Sequence, residues 1–421
     1  MRKLVAVATV LVAALALTVP GAIGGPGQTP GLTAKTITIG ATLPLTGGAA
    51  PYAPIVLGLQ TYVKYINARR AAKADDAARR RGVFGRQIVW KYYDDAYNPA
   101  NTVQLTNQLI LQDKVFAIVG TLGTEPNIPI RPILNQRKVP QIFVSTGASY
   151  WGLQYKQFPW TTGWQPDYIA EGLSYGRWIA RNAPNAKIAV FFQNDDYGKD
   201  YLKGLKIGLA AKRTLIVSEL GYEITDTSYA SQIARQKASG ADTWVLLTTP
   251  TPTVRAIATA KALAWKPDQI VINSVSNTDS VMQAAARSAG ADFVNGSVSS
   301  SYTKNPTNPK YANDAAVKRY RSIMARFSGG ADANNTFHYY GVAKASDVIR
   351  LLYLAGKNPT RASLMKAYRG WNEPNPFLLP GNRQKTGGTD QLPLQCEKIV
   401  KFTDGTFQPV SKLKCDAKKA T

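Results

Sequence analysis

Short apolar runs alternate along this chain with longer stretches in which apolar residues recur every three to four positions. Residues 115–120 (VFAIVG) and Gln141–Val144 (QIFV) are unbroken apolar runs, the pattern of strands buried on both faces of a parallel sheet. Both lead into small polar turns, 121–124 and 145–149. Glu125-Pro126-Asn127 resembles a helix start, although Pro129 and Pro132 would kink the helix if they fell beyond its first turn. The same reading predicts strands at 36–43, 87–93, 187–192, 214–219, 243–248, 269–273 and near 296–301. Helices are expected at 55–68, 99–113, 167–182, 229–239, 253–263, 310–327 and about 335–355, with one more after the loop 193–198. A hairpin about Asp404-Gly405 closes the pattern within 392–410. Strand and helix alternate throughout, so the expected fold is α/β with mainly parallel sheets.

At 421 residues the chain exceeds the size of a single core, and two lobes are expected. The net charge of +25 would ordinarily raise nucleic acid as a partner. The basic residues are scattered, apart from 69–81 and 412–419, so nucleic acid is set aside in favour of a polyanionic cell envelope around the protein. Residues 1–24 read as a secretory signal, with a charged start, an apolar middle and small residues at the end, and 25–35 as a flexible leader. The protein is therefore expected outside the cytoplasm, in the periplasm or on the outer side of the envelope. In that setting Cys396 and Cys415 are expected to pair.

The chemistry at the two polar turns is modest. If 115–149 forms one βαβ unit, both turns lie at the carboxyl edge of neighbouring strands, where open α/β sheets hold ligands. Hydroxyls such as Thr124 and Ser149, with free N–H groups beside a helix N-terminus, suit an anion. Nothing there is a strong base or nucleophile. With one histidine, His338, and two distal cysteines, no metal cluster, cofactor motif or catalytic pair is evident. Catalysis is not expected.

In their order and spacing, ITIGATLPLTGG at 37–48, Asp94-Asp95 with NPANTV at 98–103, VGTLGT at 119–124, VPQIFVSTGAS at 139–149 and DDYGKD at 195–200 resemble the leucine/isoleucine/valine-binding proteins. These are type I periplasmic binding proteins that serve ABC importers. The resemblance implies two α/β lobes joined by three crossovers, near 162–165, 299–303 and Pro380. It divides the chain into an N-terminal lobe of 36–163 plus 300–380 and a C-terminal lobe of 164–299 plus 381–421, with the tail hairpin. It implies Thr124, Gly147 and Ser149 as a carboxylate cradle, Tyr52 and Tyr197 as aromatic walls, and Thr249 where the second lobe often offers another aromatic. As partners it implies a small-molecule solute and a membrane permease, for a monomeric protein without cofactor. A sensory module that passes lobe closure to a receptor is the alternative.

One departure bears on the ligand. Amino-acid binders of that family hold the substrate ammonium with acidic residues of the second lobe, and here the corresponding places are Gln165 and the segment Ser274-Val275-Ser276. None of these is acidic. The ligand is therefore expected to be a small carboxylate-bearing solute, a branched-chain or hydrophobic amino acid or a related aromatic or branched acid, with the missing acid favouring one that lacks an α-ammonium. If the alignment slips, Asp195, Asp196 or Asp279 supplies the missing charge instead.

Overall fold

The computed structural model describes residues 29–69 and 81–415. The signal, residues 25–28 of the leader, most of the basic stretch 69–81 and the last basic residues lie outside the described residues. The rest of the leader is not a free tether but is pinned to the fold, the Gly31 carbonyl accepting from Thr38 N–H (2.7 Å). The first unit contains β1 (Thr36–Leu43), α1 (Pro54–Ala68), β2 (Gln87–Asp94), α2 (Pro99–Leu111), β3 (Ala117–Val119), α3 (Ile130–Gln136), β4 (Gln141–Val144), α4 (Tyr150–Leu153) and β5 (Thr161–Gly163). Its five strands run parallel in the order β2-β1-β3-β4-β5.

The second unit follows with α5 (Tyr168–Asn182), β6 (Ile188–Gln193), α6 (Asp196–Leu209), β7 (Ile216–Tyr222), α7 (Ala230–Ala238) and β8 (Thr243–Leu247). It continues through α8 (Pro250–Ala262), β9 (Gln269–Ile272), α9 (Asp279–Ala289), α10 (Ala291–Val294) and β10 (Val298–Ser301). The chain then adds α11 (Ala315–Phe327), α12 (Thr336–Leu354), α13 (Arg361–Arg369), β11 (Asn372–Glu373), β12 (Gln384–Lys385), β13 (Lys398–Thr403) and β14 (Thr406–Pro409). The second sheet has the order β14-β13-β10-β9-β8-β6-β7, parallel from β7 to β10 and closed by the antiparallel hairpin.

Burial explains the sequence pattern. β3, β4, β6 and β8 are buried at every position, because helices cover both faces of each sheet. The outermost β7 is mostly half-exposed or exposed and correspondingly mixed in character. One face of the first sheet packs Ile39, Ala117 and Ile142 with α1, α11 and α12, and the other packs Ile118 with Leu109, Ile130 and Leu134. Pro129 falls at the N-cap of α3 and Pro132 in its first turn, where no intrahelical N–H is needed, so neither kinks the rod. Asp404 and Gly405 have φ of 52° and 80°, the left-handed geometry that a two-residue hairpin turn requires. Cys396 and Cys415, which bracket the hairpin, are joined by a disulfide.

The chain passes between the sheets after β5, after β10 and before β13. One crossover position, the third, differs from the sequence reading, while the second falls within the expected 299–303. Ser299 and Ser300 pair with Val400 and Ile399 within the second sheet, so the second crossover starts at Tyr302. After Pro380 the chain returns to the first unit: β12 pairs with β11, Thr386 N–H bonds the Trp371 carbonyl, and Leu394 lies in the first core. It joins the second sheet only at Lys398. Among the described residues no helix is long and apolar enough to cross a membrane.

Candidate functional site

In each sheet the strand order reverses next to the first strand of its unit, β1 in one and β6 in the other, and the loops leaving the carboxyl edges there face each other across a cleft. The cleft encloses about 730 Å³ of empty space, part of it open to solvent. The first unit contributes Tyr52 from the short helix after β1, Tyr97 after β2, Leu122 and Thr124 after β3, Ser145 after β4, and Phe337 and Tyr340 from α12. The second contributes Tyr168 from α5, Tyr197 from α6, Thr249 after β8 and the segment from Ser274 after β9. Gln165, Tyr302 and Thr303 come from the crossovers.

Six of the residues picked out from sequence line the cavity: Tyr52, Thr124, Gln165, Tyr197, Thr249 and Val275. Two do not. Beyond Ser145 the chain turns toward the second lobe, so the Gly147 carbonyl accepts from Tyr168 N–H (2.8 Å) and the Ser149 N–H donates to Asp200 Oδ2 (2.8 Å). A side chain at position 147 would lie 2.1 Å from the Pro166 carbonyl. These two residues seal the lobes against each other, and the polar group that β4 presents to the cavity is Ser145. Tyr197 is not in a loop but in the first turn of α6, where Asp195 caps the helix by accepting from Gly198 N–H (3.1 Å).

None of the lining residues carries a formal charge. Asp195 is committed to the cap, and Asp279 accepts from Asn305 (3.1 Å) and Thr307. Neither lines the cavity, nor does Asp196.

The charges stand one layer behind. Lys344, on α12, is fully buried; its Nζ donates to Ser145 Oγ and to Tyr340 OH (2.9 Å) and lies 5.1 Å from the Trp164 ring centre. Gly120, at φ +70°, makes room for it: a Cβ there would lie 3.3 Å from Lys344 Cδ. From Lys344 the hydrogen bonds run in one direction around the wall, Tyr340 OH donating to Gln165 Oε1 (2.8 Å) and Gln165 Nε2 to Tyr168 OH (3.0 Å). Burial pushes Lys344 well below the usual lysine range, while Asp347, one turn on, pulls it back up. Asp347 is itself buried, held by Trp164 Nε1 (2.7 Å) and pushed up to about 7, mainly by burial. Sequence reasoning missed Lys344, Tyr340 and Ser145: the first two lie far along the chain on a helix that reads as plain core, and Ser145 is one serine among several in its turn.

At the first crossover Asp167 caps α5, its Oδ1 accepting from Ala170 N–H (2.9 Å) while Oδ2 is buried without a partner. Burial raises its carboxyl to about 7, and those of Asp95 and Asp195 to about 6. An unfolded aspartate titrates near ~3.9, so between these limits the folded protein binds more protons and stability falls as pH rises. The melting temperature is therefore expected to be higher near pH ~5 than near pH ~8, and Asp167→Asn to narrow that gap. Thermal melts of both proteins at the two pH values check this; an equal gap in the variant excludes Asp167 as a contributor.

The arrangement offers no nucleophile or base in contact with the cavity. It is built to enclose a small molecule between aromatic rings and hydroxyls with positive charge in reserve. Comparison with known proteins accords with that geometry. A curated relative, the Leu/Ile/Val-binding protein homolog 3 of Brucella melitensis, is 27% identical over 225 residues, 49% of this chain and 52% of the relative. The chain thus aligns with about half the length of that relative. Among solved structures, a fatty acid ABC transporter substrate-binding protein from Thermomonospora curvata superposes with a TM-score of 0.76 at 21% identity, covering 93% of this chain and 96% of the other. An ABC transporter solute-binding protein from R. palustris in complex with 4-hydroxybenzoate gives 0.71 at 16% identity, covering 90% and 97%. The family model for periplasmic binding proteins matches residues 36–406, and the chain belongs to that family, as a two-lobed solute-binding protein of the leucine/isoleucine/valine-binding type.

Proposed function

We propose that the protein captures a small carboxylic acid without an α-ammonium group and delivers it to an ABC importer. The observation that carries this reading is a cavity lined without formal charge and backed, on the first lobe, by the buried Lys344. A carboxylate at the Thr124 end of the cavity lies in the field of that ammonium and can accept from the Thr124 hydroxyl when Thr146 donates to Thr124 (2.6 Å), and its charge stabilises the protonated lysine in return. An ammonium group would meet no acid in the lining, since the buried Glu171 stands behind Ser274 with its oxygens taken up by Ser274 and Tyr175, and a buried cation without a partner costs several kcal/mol.

The structural neighbours described as fatty-acid and 4-hydroxybenzoate binders support the class of ligand. Capture proceeds by closure. The lobes touch beside the cleft through Thr251 Oγ1 to the Gly48 carbonyl (2.9 Å) and through Ser149 to Asp200, and only this closed form surrounds the solute from both sides. That difference in contact drives the equilibrium, and the joined surface is what a permease would read.

Titration calorimetry with leucine, phenylalanine and their deaminated acids tests the reading. The acids are expected to bind and the amino acids to fail. Tight leucine binding with silent acids would sink it.

A further inference from the structure

This inference rests on the acid reading and concerns the far end of the same ligand. The second lobe's wall is rich in hydroxyls, with Thr249, Ser274, Thr278 and Ser300 facing the cavity. Directly behind Ser274 lies Glu171 of α5, fully buried. Its carboxylate accepts the Ser274 N–H (2.7 Å), the Ser274 hydroxyl (2.7 Å) and the Tyr175 hydroxyl (2.6 Å). Among the described residues it forms no ion pair with a lysine or arginine. A hydroxyl carries one proton, and that of Ser274 is committed to Glu171, so its oxygen can only accept from the cavity. On the opposite lobe the buried charge is Lys344. The cavity therefore lies between a buried lysine on one lobe and a buried carboxyl group on the other, and a bound acid is oriented with its carboxylate toward the lysine.

We propose that the solute is a hydroxylated carboxylic acid whose hydroxyl, remote from the carboxylate, donates to Ser274 Oγ. Glu171 is a positioning residue that holds the Ser274 hydroxyl in its accepting orientation. An acid without the hydroxyl leaves that oxygen unpaired in a closed cavity, a penalty that discriminates far better than an apolar contact can.

The test is titration calorimetry of the wild-type protein, Ser274→Ala and Glu171→Gln with two ligand pairs. One pair is para-hydroxybenzoate and para-fluorobenzoate, and the other is pentanoate and its terminally hydroxylated counterpart. In the wild type the hydroxylated member of at least one pair is expected to bind roughly ten-fold tighter. In Ser274→Ala the preference should fall to about one, because no oxygen remains there to accept from the ligand's hydroxyl. Glu171→Gln keeps the shape but frees the Ser274 hydroxyl to turn outward, so it too should erode the preference; it carries the test if Ser274→Ala fails to fold. Equal binding of both members in the wild type, or a preference that survives both substitutions, overturns this inference and leaves the acid reading standing. Failure of every acid to bind removes both.

Discussion

Replacing Lys344 with methionine is expected to weaken acid binding by about 2 to 3 kcal/mol, roughly a hundred-fold, with the fold retained. Methionine keeps most of the length and apolar bulk that fills the space against Gly120 and Trp164. Ser145 Oγ still donates to the Gly120 carbonyl (3.0 Å) and Tyr340 OH to Gln165, so neither hydroxyl is orphaned. Asp347, which loses its nearby cation, already titrates at about 7 and can remain protonated. What disappears is the positive charge behind the carboxylate. In the wild type that charge also links binding to pH. Burial depresses the lysine in the empty cavity, and an anion beside it restores its proton, so binding takes up protons and affinity falls as pH rises from the lysine's range in the empty cavity to its range in the bound form. Calorimetry with a binding acid in two buffers of different ionisation enthalpy reads the proton uptake. Unchanged affinity and unchanged uptake in Lys344→Met would remove Lys344 from the ligand's electrostatics.

The parts of the molecule that were legible in the sequence are those whose physical cause is local. A strand covered on both faces must be apolar at every position, so Gln141–Val144 is read to the residue. A helix start needs a cap, and Asp167 and Asp195 mark two of them. β5, with three residues of sequence TTG, carries no periodicity, and α9 presents alanines at two of its five buried positions, so both escape notice. The cavity was half legible for the same reason. Loops at carboxyl strand edges announce themselves through small polar residues, which gave Thr124 and the Ser145–Ser149 turn. Which of those hydroxyls faces the ligand depends on where the chain bends after β4, and that is fixed by Tyr168 and Asp200, far along the sequence. Lys344 and Glu171 were invisible because a charged residue inside a helix ordinarily marks a solvated face. Here each is buried against the wall of a cavity that exists only after both lobes have assembled.

The largest loss of stability is expected from Gly204→Ala, a substitution that in most helices is favourable. Helices α5 and α6 cross with their backbones nearly in contact: a Cβ at Gly204 would lie 2.0 Å from the Ile169 carbonyl oxygen, and one at Gly172 2.2 Å from that of Tyr201. Gly176 and Gly208 extend the same seam one turn further, at 2.3 Å each from a backbone oxygen. The obstructing atoms are main chain, so no rotamer change relieves them, and the helices must separate by more than an ångström to restore ordinary contact. We expect a cost of about 3 kcal/mol or more, against ~1 kcal/mol gained from alanine's helix propensity. Separation would also act on the site, because α5 carries Tyr168 and Glu171 while α6 carries Tyr197, three groups at or just behind the second-lobe wall. Acid affinity should therefore fall together with stability. Gly370→Ala is the control, since a Cβ there meets nothing within 4 Å, and it should change stability by less than ~0.5 kcal/mol. Urea denaturation of the two variants decides the matter: equal midpoints would show that α5 and α6 yield without loss and that their close approach does not fix the second-lobe wall.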